Sequence, residues 1–520
     1  MTASDVLPLA SAPPVRRRVP DWPRYVIGLG LLAYLILIIA AVTSGSFELL
    51  DPVPLIPVLA YFAYLLAKRV ARSEHDPSMV AFVLAAFSAK MIGTLIRALV
   101  VAQVYGNRSD SQDFHLWGKY LAPFYRQLDF SPEVGTSGFS GTGFMRSITG
   151  VVYSFTGASK VSGSVFFSFL SFVGLLLLWR AFRRAVPEGA GRRYAFLVLF
   201  LPSMLYWPAS LGKDAFAVFC LGVVSYGVAR AVTGQIVDGV VLFALGTFGL
   251  TFLRPHVALT AFCGVVLAAA VGKSRKPGNK ASILRLAVFG ALLVLGLYLV
   301  SSTEQFFGVD SLNQETVNQT LSEAEGRTSE AGSAFTPVKM NTPVNAPLAF
   351  ATVLFRPFPF EATSAVAMLS ALEGVFLFVL TCMSWKRLRS IPRAMRNTPY
   401  VAYCVGVMFT FVYAFSAFSN FGILARQRVQ VMPFFFVLLC LPEWRRLGTT
   451  TTEEAIAARD APTEGPYANL APDEPPYAKL APEPPPYAEA QLDEDPAELY
   501  PTTAELDDPY ARFADPAGDG

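Results

Sequence analysis

The sequence predicts an all-α fold, a polytopic bundle of about twelve transmembrane helices with further helices in its outer loops and a disordered C-terminal tail. Three observations point there. The 520 residues are 53% hydrophobic and only 16% charged, against roughly a quarter charged in a soluble domain. Apolar runs at or near the ~20 residues that a crossing needs recur along most of the chain. Beyond about residue 447 the composition turns to Pro, Ala, Glu, Asp and Tyr, which cannot supply a packed core.

Taken in order, residues 1–24 form an arm ending in "VRRRVPDWPR". No small-residue cleavage pattern follows the first run, so that run is expected to be a retained span and the arm cytoplasmic. The runs fall near 25–44, 53–67, 78–103, 161–182, 194–208, 212–232, 237–253, 256–272, 283–300, 363–384, 399–417 and 429–442. Threaded alternately, they leave "AKRVAR", "WRAFRR" with "GRR", "KSRKPGNK", "WKRLRSIPRAMR" and "EWRR" on the cytoplasmic side, as the positive-inside bias requires. These clusters are then explained by orientation, and no nucleic-acid partner is implied. The stretch "TGFMRSITGVVYSFTG" (142–157) does not fit as a full span, because counting it would move "WRAFRR" outside. It is expected to dip in from the outer face and end there.

The transmembrane part, 25–446, then presents two large outer loops, 104–142 and 301–345, and short turns carrying "SLGKDAF", "FLRPH" and "NFGILARQRVQ". All five cysteines (Cys220, Cys263, Cys382, Cys404 and Cys440) lie within apolar runs, which suggests neither a disulfide framework nor a thiolate zinc site. In the tail, 447–520, "PYANLAP", "PYAKLAP" and "PYAEAQL" set Tyr467, Tyr477 and Tyr487 ten residues apart, with a looser copy at Tyr510. That array suits docking of a cytoplasmic protein, or phosphorylation, as readily as it suits a plain tether.

Charge on the outer side is what needs explaining. The threading gathers Asp110, Asp113, His115, Lys213, Asp214, Arg254, His256, Arg356, Glu361, Arg426 and Arg428 there. Lys and Arg should be depleted from that side in short loops, and a phosphate ligand accounts for them, since Arg pairs bidentately with phosphate and Lys offers a compact charge. Snorkelling to lipid headgroups accounts for single members such as Lys213 or Arg254. Arg426 and Arg428, two apart, cannot face the same way on a helix. In "SDSQDFHLWG", Asp110 and Asp113 share a helix face. They can hold a divalent cation such as Mg or Mn, or one of them can take a proton from an attacking hydroxyl. The plain alternative is a helix start in which Ser109 or Asp110 caps and Asp113 sits at the third position.

The order of these features resembles the GT-C superfamily of integral-membrane glycosyltransferases over roughly residues 78–445. "SDSQDFHLWGKYLA" is similar to that family's acidic first outer loop, with Asp110 in the acidic position and Phe114 where an aromatic is expected. "YSFTGASK" and the span after it resemble the family's turn and next helix, and "LPSMLYWPASLGKDAFAVFCLG" resembles the segment that leaves the membrane and re-enters. The chain departs from the pattern in lacking the acidic pair, since Ser111 follows Asp110.

The resemblance implies transfer of a sugar from a polyprenyl-phosphate-linked donor to a cell-envelope glycan or lipid acceptor at the extracytoplasmic face of the cell membrane. Asp110 is then the catalytic residue and Asp113 its reserve, with either as metal ligand. His115, Lys213, Arg254, His256, Arg356, Arg426 and Arg428 become the substrate- and phosphate-binding set, on charge and side rather than on motif. Two other functions share the sequence features: a polysaccharide polymerase or ligase using undecaprenyl-diphosphate-linked glycans, and a lipid or glycan transporter.

Overall fold

The computed structural model describes residues 21–104, 106, 109–135, 139–271, 294–305, 316, 319, 335–340, 342, 344–362 and 364–443. The N-terminal arm, the "KSRKPGNK" loop, the start of the 283–300 run, most of the 301–345 loop and the tyrosine repeats lie outside these residues. The chain divides after Trp444, and the second unit, Arg445–Gly520, falls wholly outside them.

Among the described residues there is no β-strand. In chain order the helices are α1 (Trp22–Ser44), α2 (Phe47–Leu50), α3 (Pro52–Glu74), α4 (Ser78–Gln103), α5 (Asp110–Arg126), α6 (Thr142–Thr156), α7 (Lys160–Ala185), α8 (Gly191–Phe200), α9 (Pro202–Tyr206) and α10 (Lys213–Val232). They continue as α11 (Ile236–Leu253), α12 (Pro255–Val271), a helical stretch at 294–305, α13 (Ala346–Phe355), α14 (Ala365–Met383), α15 (Trp385–Leu388), α16 (Ile391–Asn397), α17 (Pro399–Phe415), α18 (Phe421–Gln427) and α19 (Met432–Leu439). Proline opens several of them, Pro52, Pro202, Pro255 and Pro399 among others. The first turn of a helix needs no backbone N–H, so proline is tolerated there. Gly45 closes α1 in the left-handed region (φ 60°), donating its N–H to the Ala41 carbonyl.

Among the described residues, six helical stretches are long and apolar enough to cross a membrane: α1, α2–α3, α4, α7, α10 and α11. Only 11% of the most apolar window of α1 is buried within the molecule, and Leu31, Leu35, Ile36 and Ile39 are exposed on its surface. An apolar surface of that extent belongs in lipid. The chain is a multi-pass membrane protein. The other runs that lie within the described residues are shorter or broken. The 194–208 run divides into α8 and α9 because Pro202 drives Leu201 out of the helical region (ψ 135°). The 429–442 run forms the second limb of a pair, Phe421–Gln430 and Met432–Leu439, bent by 62°, which gives a seventh crossing if counted as one. α12, α13, α14 and α17 are apolar but shorter, and α6, at 15 residues, spans only ~22 Å at 1.5 Å per residue.

Packing between the long helices depends on small residues, as close backbone approach in lipid requires. At the α7–α10 crossing a Cβ on Gly222 would lie 2.2 Å from the Gly174 carbonyl oxygen. At the α5–α6 crossing a Cβ on Gly118 would lie 2.4 Å from the Thr149 methyl.

Two groups of charged side chains lie at the two ends of the bundle. At one end Arg180 and Arg183 both engage Glu74, Arg192 engages Asp76, Arg193 donates to Ser384, and Arg387 meets Glu443. These contacts link the loops after α3, α7 and α14 and the segment after α19, which are four of the five basic segments that the threading assigns to one side. The loops that carry Asp110, Lys213, Arg254 and Arg426 meet at the other end.

Candidate functional site

The site is built on three places where the chain breaks helical geometry. The first is the start of α5. Ser109 is extended (φ −154°, ψ 155°) and makes no side-chain cap hydrogen bond; its hydroxyl pairs with that of Ser111 at 2.7 Å. The capped-helix alternative is therefore not what forms. Asp110, in the first turn and with its side chain 60% exposed, accepts two hydrogen bonds at 3.1 Å from Arg426. Asp113, one turn on, faces a different guanidinium: its two oxygens each accept from Arg146 of α6 at 2.9 Å. Arg146 also lies over the Trp117 ring at 4.7 Å and donates to the Val134 carbonyl at 2.9 Å.

The second break is the re-entry into α10. Lys213 and Asp214 fall in its first turn, and the Lys213 ammonium donates to the Thr142 hydroxyl at 2.9 Å. Asp214 is buried, and its carboxylate bridges two cations, accepting from Arg254 at 2.8 Å and from the Arg426 Nε. The third break lies between α11 and α12, where Arg254 leaves the helix (φ −153°, ψ 82°) before Pro255 and turns into the bundle. Its second amino group donates to the Gln427 side-chain oxygen Oε1 at 2.9 Å. Asp110, Lys213, Asp214, Arg254 and Arg426 thus form one electrostatic cluster drawn from four separate segments.

Beside this cluster lies a cavity of about 310 Å³, lined by Glu48, Arg97, Ser111, Gln112, His115, Lys160 and Ser210 among others. Glu48, in α2, accepts the Lys160 backbone N–H at 2.7 Å, and its carboxylate is 3.6 Å from the His115 Nε2. The His115 Nδ1 is hydrogen-bonded to the Tyr153 hydroxyl at 2.9 Å, and the Lys160 ammonium donates to the Gln112 side-chain oxygen at 2.9 Å. Burial pushes the His115 imidazolium below the usual histidine range. Glu48 opposes the shift, while Lys160 and Lys119 reinforce it. Arg97 donates to the Tyr206 carbonyl at 3.3 Å, lies over the Tyr206 and Trp207 rings, and acts electrostatically on Asp214. That places it between the cavity and the ionic cluster.

The remaining residues singled out from the sequence lie apart from Asp110. Arg356 pairs with Glu361 and stacks over Phe335 at 4.4 Å and Phe421 at 5.5 Å. Arg428 is fully buried, 3.8 Å from Glu373 of α14, and donates to the Arg356 carbonyl at 2.8 Å. The spacing of Arg426 and Arg428 does send them opposite ways. His256 lies against the Phe415 ring, 6.1 Å between centroids, and is within electrostatic reach of the Arg254 and Lys213 charges.

Glu48, Arg97, Arg146, Lys160 and Glu373 were missed by sequence reasoning. Arg97 and Glu373 had a usable signal, each being an ionisable group inside an apolar run, where burial in lipid is costly without a role. Glu48, Arg146 and Lys160 had none, because nothing local tells which helix end they will meet.

Asp110 and Asp113 are the carboxylates at which the sequence admits a divalent cation. Each carboxylate already carries its own guanidinium, and among the described residues no group of three or more His, Cys, Asp and Glu is placed to hold an ion. This donor set fits an anion better than a divalent cation. No protein-family model, curated protein or solved structure matches the chain at a significant level.

Proposed function

We propose that this chain is a membrane glycosyltransferase of the GT-C type. It would cross the cell membrane about twelve times with both termini cytoplasmic, and move a sugar from a polyprenyl-phosphate donor to a cell-envelope acceptor at the extracytoplasmic face. The observation that carries the reading is the cluster at the bundle end, where an exposed carboxylate, Asp110, is held by Arg426 next to Lys213 and Arg254.

In this mechanism the acceptor hydroxyl oxygen bonds to the anomeric carbon while that carbon's bond to the phosphate oxygen breaks. Asp110 takes the hydroxyl proton, a contribution of roughly 10²- to 10⁴-fold. The electron pair leaves with the phosphate, where Lys213, Arg254 and Arg426 stabilise the charge in a site poor in water. Asp214 holds the two arginines in place before the reaction, so that no reorganisation is needed during it. No step runs through a metal.

The test is Asp110→Asn in the purified chain, assayed for transfer from a polyprenyl-phosphate sugar. Loss of transfer with the fold retained supports the role, and an unchanged rate removes Asp110 from it. A transporter is the second reading, favoured by the two discontinuous helices, α8–α9 and α18–α19, and by the buried Lys90, Glu373 and Arg428 near them. Counterflow of a chemically unchanged substrate in proteoliposomes would select it.

A further inference from the structure

The cations at this end of the bundle fall into two groups on either side of the α5 start. One is Lys213, Arg254 and Arg426 with Asp110 and Asp214, and the other is Arg97 and Lys160, which line the cavity together with Glu48. Each group has one more positive charge than negative, counting His115 as neutral. The side chains of Ser111 and Gln112 line the cavity, while that of Asp110, their neighbour in sequence, is bonded to Arg426. The first turn of α5 therefore presents the carboxylate to one cation group and hydrogen-bonding side chains to the other.

A donor with a single phosphate needs only one of these groups. Beside the Glu48 carboxylate, the cavity offers an ammonium, a guanidinium, serine hydroxyls and the Gln112 amide, donors matched to phosphate oxygens. Its volume of about 310 Å³ lies at the small end of the ~300–1,000 Å³ typical of ligand cavities, enough for a headgroup rather than a chain.

We propose that the cavity bounded by Arg97, Lys160 and Gln112 is a second phosphate subsite, so that the acceptor, like the donor, carries a phosphate. This rests on the transferase reading for the identity of the ligand as acceptor, but the subsite itself can be tested without any transfer.

The experiment is calorimetric titration of the full chain in a neutral detergent, with hexyl phosphate and, separately, inorganic phosphate. Two equivalents of hexyl phosphate are expected for the native chain. Lys160→Gln should weaken one of them by about tenfold, and Lys213→Gln the other. Gln112→Glu guards against misfolding of the lysine variant: it keeps the contact to Lys160 and gives it an anionic partner, and it should weaken the same equivalent as Lys160→Gln. If inorganic phosphate fills the cavity as strongly as hexyl phosphate, the subsite reads the phosphate group alone. If only hexyl phosphate fills it, the subsite reads a phosphate ester of a lipid. A single equivalent in the native chain, or two undiminished equivalents in both Lys160→Gln and Gln112→Glu, would overturn the proposal. Two equivalents without sugar transfer would leave the subsite standing and remove the enzyme, whereas transfer with one equivalent would do the reverse.

Discussion

Replacing Asp214 by Asn should damage the fold far more than replacing Asp110 by Asn, although both carboxylates bind the same arginine. Asp214 is 3% exposed, and the Arg254 that it holds is 7% exposed. Asparagine keeps the shape and one acceptor but removes the charge between two guanidinium groups that have little water to fall back on. Breaking a buried ion pair from one side costs about 3–5 kcal/mol, which at 1.36 kcal/mol per power of ten is roughly a 10²- to 10⁴-fold shift toward the unfolded state. The Asp110 carboxylate is 60% exposed, where an ion pair contributes about 0–1 kcal/mol. Reversible unfolding in mixed micelles of increasing denaturing-detergent content, followed by circular dichroism, measures both. A loss for Asp214→Asn within about 1 kcal/mol of that for Asp110→Asn would mean that water reaches Asp214 and that the cluster is not held as described. A double variant, Asp214→Asn with Arg254→Gln, should recover part of the loss, because it removes a stranded cation together with its partner.

Three further outcomes are expected. Gly222→Leu places a side chain where even a Cβ meets the Gly174 carbonyl at 2.2 Å; the α7–α10 crossing should open, with a stability loss at or above the ~1–3 kcal/mol of ordinary overpacking, read as a lowered melting temperature. His115 titrates below the ordinary histidine value because it is buried, with Glu48 acting against the shift and Lys160 and Lys119 with it, and with the Tyr153 hydroxyl as its partner. Its contribution to stability should therefore be complete above about pH 6.5 and be lost as the pH falls toward the folded-state value, since the unfolded chain takes up the proton first. A melting-temperature profile measured from pH 8 to pH 5 should flatten in His115→Asn. Arg146→Ala removes the partner of Asp113, the cation over Trp117 and the donor to Val134 together; limited proteolysis should then cut the α5–α6 connection faster, and an unchanged rate would show that the loop does not depend on that side chain.

Several features could be read before any fold was known. The scarcity of charge and the recurring apolar runs determine a multi-pass helical bundle, because only closed backbone hydrogen bonding survives in lipid. Asp110, Lys213, Arg254 and Arg426 could be grouped on one side by alternation of spans, and the structure does bring these four together.

What alternation cannot supply is partnership. Asp110 and Asp113 are equivalent by helical spacing, yet one meets Arg426 from a segment more than 300 residues away and the other meets Arg146 on the adjacent helix. Helix periodicity fixes direction about an axis and says nothing about which neighbour stands there. For the same reason Glu48, Arg97 and Lys160 gave no sign of lining one cavity. Run length also misjudges continuity: the 194–208 run is apolar enough to suggest a span and forms two short helices, because one proline outweighs the hydropathy around it. Sequence alone determined the solvent this chain folds in and the end of the bundle on which its charges gather. The tertiary structure decided which carboxylate is buried and which is open to a ligand, since burial depends on how the helices cross, and here glycines at those crossings set how closely they approach.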